Sequence, residues 1–242
     1  MHIQSIHKFS NEIYGNYGKI VQTCLERGFE RHPDQRVDLN FSFFDVVELN
    51  YPSDVDLQNI DAIVVTGSAA GAYSEDPWVL ELTQQLKHIF LQHSQIKLVG
   101  ICFGHQIIAH ALTNLEVILN PKGWEMGVYS VDLSEADLSP LSGRSSYKIQ
   151  MVHQDIVVGQ PSGDWKVLGF TDKCSNQGLY LENRVVSVQG HFEFDSFITK
   201  EAFKMINPVI PDAEKLEMLN RIEEQDDAEW VIDAIVSFLI VQ

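Results

Sequence analysis

The segment Ile96–Leu112, IKLVGICFGHQIIAHAL, constrains this chain more than any other. Its first six residues form an apolar run of the length of a buried strand, and from Phe103 onward the apolar residues recur at helical spacing. Cys102 sits at the junction, with Gly100 and Gly104 two residues to either side. Gly-x-nucleophile-x-Gly between a strand and a helix is a nucleophile elbow, here with Cys in place of Ser. So sharp a turn strains the backbone of the nucleophile and admits only small neighbours. It also sets the thiol at a helix N-terminus, where partial positive charge favours the thiolate. The amide of Phe103 then points to where an oxyanion would form. A buried structural cysteine between two packing glycines is the plain alternative; it accounts for burial but not for the spacing.

A second strand–helix unit precedes the first. Asp61–Thr66 (DAIVVT) reads as a buried parallel strand that ends at Gly67. The loop GSAAGAYSED follows, with Asp76 as N-cap and Pro77 as the first residue of a helix. Two such units predict an α/β domain with a mainly parallel sheet. A helix is expected over 11–29, with Ile13, Ile20, Val21 and Leu25 on its apolar face, and a strand over Phe41–Leu49. Short strands are expected at Glu125–Leu133, Tyr147–His153, Trp165–Thr171, Gly178–Leu181 and Arg184–Gln189. Residues 195–242 read as a helical extension, with Pro208 and Pro211 separating two helices and Asp212 capping the later one. The whole of 1–242 reads as one domain. Ligands of open α/β sheets sit beyond the carboxyl ends of the strands. Here those places are the loop after Thr66, the turn at Cys102 and the segment after Gln189.

That last segment is Gln189-Gly190-His191-Phe192-Glu193-Phe194-Asp195. Residues two apart in an extended segment face the same side. Glu193 can therefore hold one ring nitrogen of His191 and leave the other for a thiol. An ordinary strand-end histidine beside an exposed glutamate is the competing reading, and a cysteine elbow upstream disfavours it.

Composition removes several function classes. With 17 Lys and Arg against 34 Asp and Glu, the net charge is −17, which opposes binding to nucleic acid or to an anionic membrane. Three widely spaced cysteines (Cys24, Cys102, Cys174) make no disulfide framework. The N-terminus lacks the apolar run of a signal peptide, and the apolar stretch Trp230–Gln242 is too short to span a bilayer and carries Asp233. A reducing, cytoplasmic setting is the expectation. No metal or other cofactor is expected: His105 and His110 fall on different faces of one helix. Cys174 reads as a small buried residue beside a turn. Trp124, Tyr73 and Trp78 read equally well as substrate-mouth or packing aromatics. Glu223, Glu224, Asp226 and Asp227 read as a solvated face, and the final helix as covering a sheet edge or forming a dimer contact.

Taken together, GICFGHQ and QGHFE resemble the paired signatures of class I glutamine amidotransferases, over roughly Asp61–Asp195. TGSAAGAYSEDPW, NPKGWEMGV, VHQD and DKCSNQG strengthen the resemblance, and point to the branch that includes γ-glutamyl peptidases and fungal amidotransferase-like proteins. The resemblance implies a three-layer, flavodoxin-like α/β fold with a triad of Cys102, His191 and Glu193. It implies an oxyanion hole from the amides of Gly67 and Phe103, and contacts to the glutamyl group from Gln106, His153 and Gln154. The substrate would be a small γ-glutamyl molecule. One departure stands out: the family usually carries His-Pro-Glu, and Phe192 replaces the proline that would stiffen the turn. Three functions stay open: a stand-alone γ-glutamyl hydrolase, a glutaminase subunit for a separate synthetase, and a non-catalytic relative. A homodimer is open as well.

Overall fold

The computed structural model describes residues 2–6, 17–33, 37–134, 141, 143–207 and 209–241. In chain order the elements are β1 (His2–Ile6), α1 (Tyr17–Glu30), β2 (Asn40–Phe44), a 3-10 turn (Val46–Glu48), α2 (Asp54–Leu57), β3 (Ala62–Val65), α3 (Pro77–Gln92), β4 (Lys97–Ile101) and α4 (Phe103–Thr113). The second half holds β5 (Glu116–Leu119), β6 (Glu125–Leu133), β7 (Ser146–His153), β8 (Asp155–Val158), β9 (Lys166–Val167), β10 (Gly169–Phe170), β11 (Gly178–Leu181) and β12 (Val185–Val188). Helices α5 (Ser196–Ile206), α6 (Asp212–Ile222) and α7 (Ala228–Ile240) end the chain.

The central sheet has seven strands in the order β2-β1-β3-β4-β12-β11-β9. The first five run parallel, and β11 and β9 add an antiparallel edge. The uninterrupted apolar strands are explained by burial on both faces. Ala62, Val64, Val99, Ile101, Val186 and Val188 join one core with Val21 and Leu25 of α1 and Val231, Ile232 and Ile235 of α7. Their neighbours Ile63, Val65, Leu98 and Val185 join the other core with Leu82 and Leu86 of α3 and Ile107 and Ile108 of α4. The result is the expected three-layer α/β architecture with a mainly parallel sheet. Two smaller sheets, β10-β6-β7 and β5-β8, stand apart from it. Among the described residues no helix is long and apolar enough to cross a membrane.

Several local expectations need correction. β1 lies in the N-terminal segment, which carries no apolar run. Phe41–Leu49 is not one strand: it bends after Phe44, where the Asp45 side chain accepts from the Val47 amide and starts the 3-10 turn. Trp165–Thr171 splits into two short strands that pair with different sheets. Helices α5 and α6 lie on either side of the proline segment as expected, but Asp212 is the first residue of α6 rather than its cap, with Pro211 at the N-cap. α7 covers a face of the sheet rather than its edge. Glu223 and Glu224 are solvated, whereas the Asp227 carboxylate accepts from Arg144 and from the Lys148 amide. Ile13 and Pro208 lie outside the described residues.

The elbow depends on close approach between α4 and β3. A Cβ at Gly104 would lie 1.9 Å from the Val65 carbonyl oxygen, so a side chain there must push the helix off the sheet. Gly104→Ala is expected to destabilise the protein by about 1–3 kcal/mol, as overpacking does, and to displace the turn at Cys102. Denaturant unfolding measures this; a variant as stable as the parent would contradict it.

Candidate active site

Two parallel strands bring the site together. β4 and β12 are neighbours in register, with Ile101 opposite Val188, and the Cys102 amide donates to the Val188 carbonyl at 2.9 Å. Both strands therefore end at the same level, and the turns that follow them open side by side. Cys102 adopts φ 53° and ψ −107°, a conformation that L-residues occupy only under strain. It stands at the N-cap of α4 without a side-chain cap of its own, so its sulfur faces the cleft while the first N–H groups of α4 lack intrahelical acceptors.

His191 is fixed from several sides. Its amide donates to the Gln150 carbonyl of β7 at 2.8 Å. Its ring stacks on Phe194 with centroids 4.0 Å apart and planes 1° from parallel. Nδ1 lies 2.8 Å from Glu193 Oε1, and the ring lines the same cleft as Cys102. Thus the structure brings Cys102, His191 and Glu193 together, with all three buried. Phe192 is only 2% exposed and belongs to the main core. Burial of this ring anchors the turn that a proline would otherwise stiffen.

Sequence reasoning missed Tyr17, the first residue of α1. Its hydroxyl donates to Glu193 Oε1 at 2.6 Å and lies 2.9 Å from His191 Nδ1. Burial foremost, then the charge of and hydrogen bond to Glu193, hold this phenol well above its ordinary pKa, so it remains a proton donor. No local signal marks it, since it lies 174 positions from His191. Gly67 leaves room for this cluster: a Cβ there would sit 2.9 Å from the Tyr17 hydroxyl and 3.2 Å from His191 Cε1.

Electrostatics separate His191 from His105, the buried histidine of α4. Burial works against the His191 cation, but the charges of Glu193 and Cys102 and the hydrogen bonds they make outweigh it, raising its pKa to about 10. His105 has no such partner: burial and His153 push it down to about 3, and its Nδ1 pairs with the Ser187 hydroxyl at 2.9 Å. It ties α4 to β12 as a neutral ring. The remaining thiols are inert, because burial foremost pushes Cys24 up to about 11 and Cys174 up to about 12. Cys174 is indeed buried, its sulfur against the Asn176 carbonyl at 3.3 Å.

The cleft above Cys102 has a volume of about 660 Å³. Gly67, Gln106, His153 and Gln154 all line it, as does Trp124. Tyr73 and Trp78 do not. Tyr73 is half exposed, and Trp78 packs on the buried Phe103 ring with centroids 5.5 Å apart. The Gln106 amide nitrogen is already committed to the Asp155 carbonyl and to Gln189 Oε1, so only its own carbonyl remains for a ligand. Behind the wall lies a second element that sequence reasoning missed. The fully buried Glu125 carboxylate meets His153 Nε2 at 3.1 Å, the Thr171 hydroxyl at 2.6 Å and the Gln177 amide at 2.7 Å. Burial alone would raise the Glu125 pKa, but these partners, with His153 foremost, hold it below the ordinary value.

A family model for class-I glutamine amidotransferases matches residues 34–204. The chain belongs to that family. A glutamine amidotransferase-like protein of Schizosaccharomyces pombe is 35% identical over 231 residues, covering 94% of this chain and 92% of its own length. γ-Glutamyl peptidase 2 of Arabidopsis thaliana is 27% identical over 205 residues, covering 84% and 77%. The crystal structure of a glutamine amidotransferase from Thermotoga maritima superposes with a TM-score of 0.73 at 18% identity, covering 99% of this chain and 98% of that one. That last likeness concerns the fold. The class-I match runs wider than the Asp61–Asp195 window that the motifs span. Within this amidotransferase chain, Tyr17 lies before the matched region, so the hydroxyl beside Glu193 comes from outside it.

The raised His191 pKa has a measurable consequence. A folded-state pKa of about 10, against an unfolded reference of about 6.5, contributes stability that is fully present below pH ~6.5. That contribution fades as pH rises toward 10. The His191 ring should therefore stay protonated through neutral pH in NMR titrations, and Glu193→Gln should lower its midpoint. A wild-type ring that titrates near its reference value would contradict this electrostatic account.

Proposed function

We propose that this amidotransferase hydrolyses γ-glutamyl amide bonds, in glutamine or a γ-glutamyl peptide, through a thioester on Cys102. The observation that carries the proposal is the strained Cys102 on a helix N-terminus, partnered by a His191 ring that Glu193 holds, at the floor of an open cleft.

The steps follow from the chemistry of these groups. The Cys102 thiolate attacks the γ-carbonyl carbon, and the amides of Gly67 and Phe103 receive the developing oxyanion. The His191 cation gives its proton to the leaving nitrogen, the C–N bond breaks, and the acyl group remains on sulfur. The neutral ring then takes a proton from water, whose oxygen attacks the thioester carbon; the C–S bond breaks, glutamate leaves, and the Cys102 thiolate is restored beside the His191 cation. Glu193 keeps Nδ1–H directed at itself, which leaves Nε2 for the reacting atoms. Tyr17 donates to the same carboxylate oxygen and fixes its position. Gln106, His153 and Gln154 would hold the glutamyl end.

The cleft favours a peptide over free glutamine. Its outer wall carries Leu119, Trp124, Phe197, Met205 and Ile206, which offers apolar area to a leaving group larger than ammonia. The γ-glutamyl peptidase names among the relatives agree with that reading.

Incubation of the purified protein with glutamine and with glutathione tests the proposal. Glutamate release is expected from at least one of them, with the acyl-enzyme visible by mass spectrometry. Cys102→Ala should lower the rate by at least about 10⁴-fold. Product from the cysteine variant equal to that from the wild type would end the proposal. Tyr17→Phe removes one hydrogen bond to a charged group, a contribution of about 1.5–3 kcal/mol. A fall in kcat/KM of roughly ten- to a hundred-fold should follow; an unchanged value would remove Tyr17 from the machinery.

A further inference from the structure

Away from the cleft, three side chains converge whose chemistry the hydrolase does not use. Asp54 Oδ1 lies 2.9 Å from His88 Nε2 and 3.8 Å from His93 Nε2. All three donor atoms fall within 4.8 Å of one another, and none of the three residues lines the cleft. Regular helix geometry would keep the two histidines apart, since five residues correspond to a rotation of roughly 140° about the axis. They meet because α3 stops at Gln92. His93, at the C-cap, leaves the helix with φ −121° and ψ 67°, and its ring returns edge-on to His88 at a centroid distance of 5.5 Å. The backbone on each side is tied down. The His93 amide donates to the Ile89 carbonyl, and its own carbonyl accepts from Ile96. Asp54 sits in the first turn of α2, whose start is fixed by the reciprocal Ser53–Asp56 capping box.

We propose that Asp54, His88 and His93 bind one divalent transition-metal ion of the zinc class. Two imidazole nitrogens with one carboxylate suit Zn²⁺, Ni²⁺ or Cu²⁺, whereas Mg²⁺ and Ca²⁺ prefer oxygen ligands. A tetrahedral zinc with bonds of about 2.0–2.1 Å sets its ligand atoms roughly 3.3–3.4 Å apart. The separations of 2.9 and 3.8 Å bracket that spacing, so small side-chain rotations close the site. A simple surface ion pair would need Asp54 and one imidazole; the second ring, turned back from a helix end onto the same oxygen, is the feature that the ion explains. Asp54 is exposed, which leaves the fourth position to water. The ion would clamp the C-terminal end of α3 to α2, and α3 begins directly after the loop that carries Gly67–Ala70 into the cleft. Sequence spacing gives no pointer to this trio, because 34 residues separate Asp54 from His88.

Calorimetric titration of the metal-free full chain with Zn²⁺ tests the site. One ion per chain should bind at micromolar concentration or tighter. His88→Ala and His93→Ala should each weaken binding at least tenfold. Asp54→Asn gives a second reading of the same loss without touching either histidine. Cys102 and His191 offer a rival donor pair, so Co²⁺ provides the discriminating spectrum: ligand-field bands without a thiolate-to-metal charge-transfer band. Absence of stoichiometric binding would overturn the assignment. So would undiminished affinity in the double variant H88A/H93A, or a thiolate band that disappears in Cys102→Ala.

Discussion

The parallel ladder between β4 and β12 is the constraint on which the site depends. Its register sets Ile101 beside Val188, and both strands stop there. The chain then has to turn twice at the carboxyl ends of these neighbouring strands, once into α4 and once toward β7. Cys102 and His191 occupy those turns. The long separation in sequence between Cys102 and His191 is spanned by one pair of adjacent strands, which lie about 4.8 Å apart in the hydrogen-bonding direction. A slip of one residue in this ladder would reverse which side chains face each core, so hydrophobic burial on both faces also fixes the geometry at Cys102.

Packing remote from the cleft extends that control to the imidazole. α7 buries Ile232 and Val236 against α1, where Gly28 permits close contact. α1 in turn presents Tyr17 to Glu193 and His191. On the other side, Gln150 receives the His191 amide through its carbonyl, and its side chain donates to the Ile222 carbonyl at the end of α6. A cationic ring can stay buried only when it is paired and hydrogen-bonded, and these contacts supply that condition. Its environment is thus assembled from both ends of the chain.

The motifs were legible because they are local. Strands β3, β4, β6 and β11 follow from apolar runs or alternation bounded by turn residues, and the elbow follows from two glycines about a cysteine. β1 escaped notice because HIQSI lacks any apolar excess; it is a strand because β2 and β3 flank it and pair with its backbone. Phe41–Leu49 read as one extended run, yet the Asp45 side chain captures the Val47 amide and bends it. Gln106 lines the cleft, and the fold fixes its amide nitrogen on the Asp155 carbonyl and Gln189 Oε1, contacts that no local pattern announces.

By itself, the order of residues determined the class of fold, the position of Cys102 at a strand–helix turn and the pairing of His191 with Glu193. Each of these rests on spacing within a dozen residues, where backbone periodicity translates directly into direction. The tertiary structure decided the rest: that Tyr17 completes the cluster, that Glu125 supports His153 behind the cleft wall, and that Phe192 serves as a core anchor. Those contacts join residues distant along the chain, and they exist only because burial of two apolar sheet faces brings the helices and strands that carry them into one place.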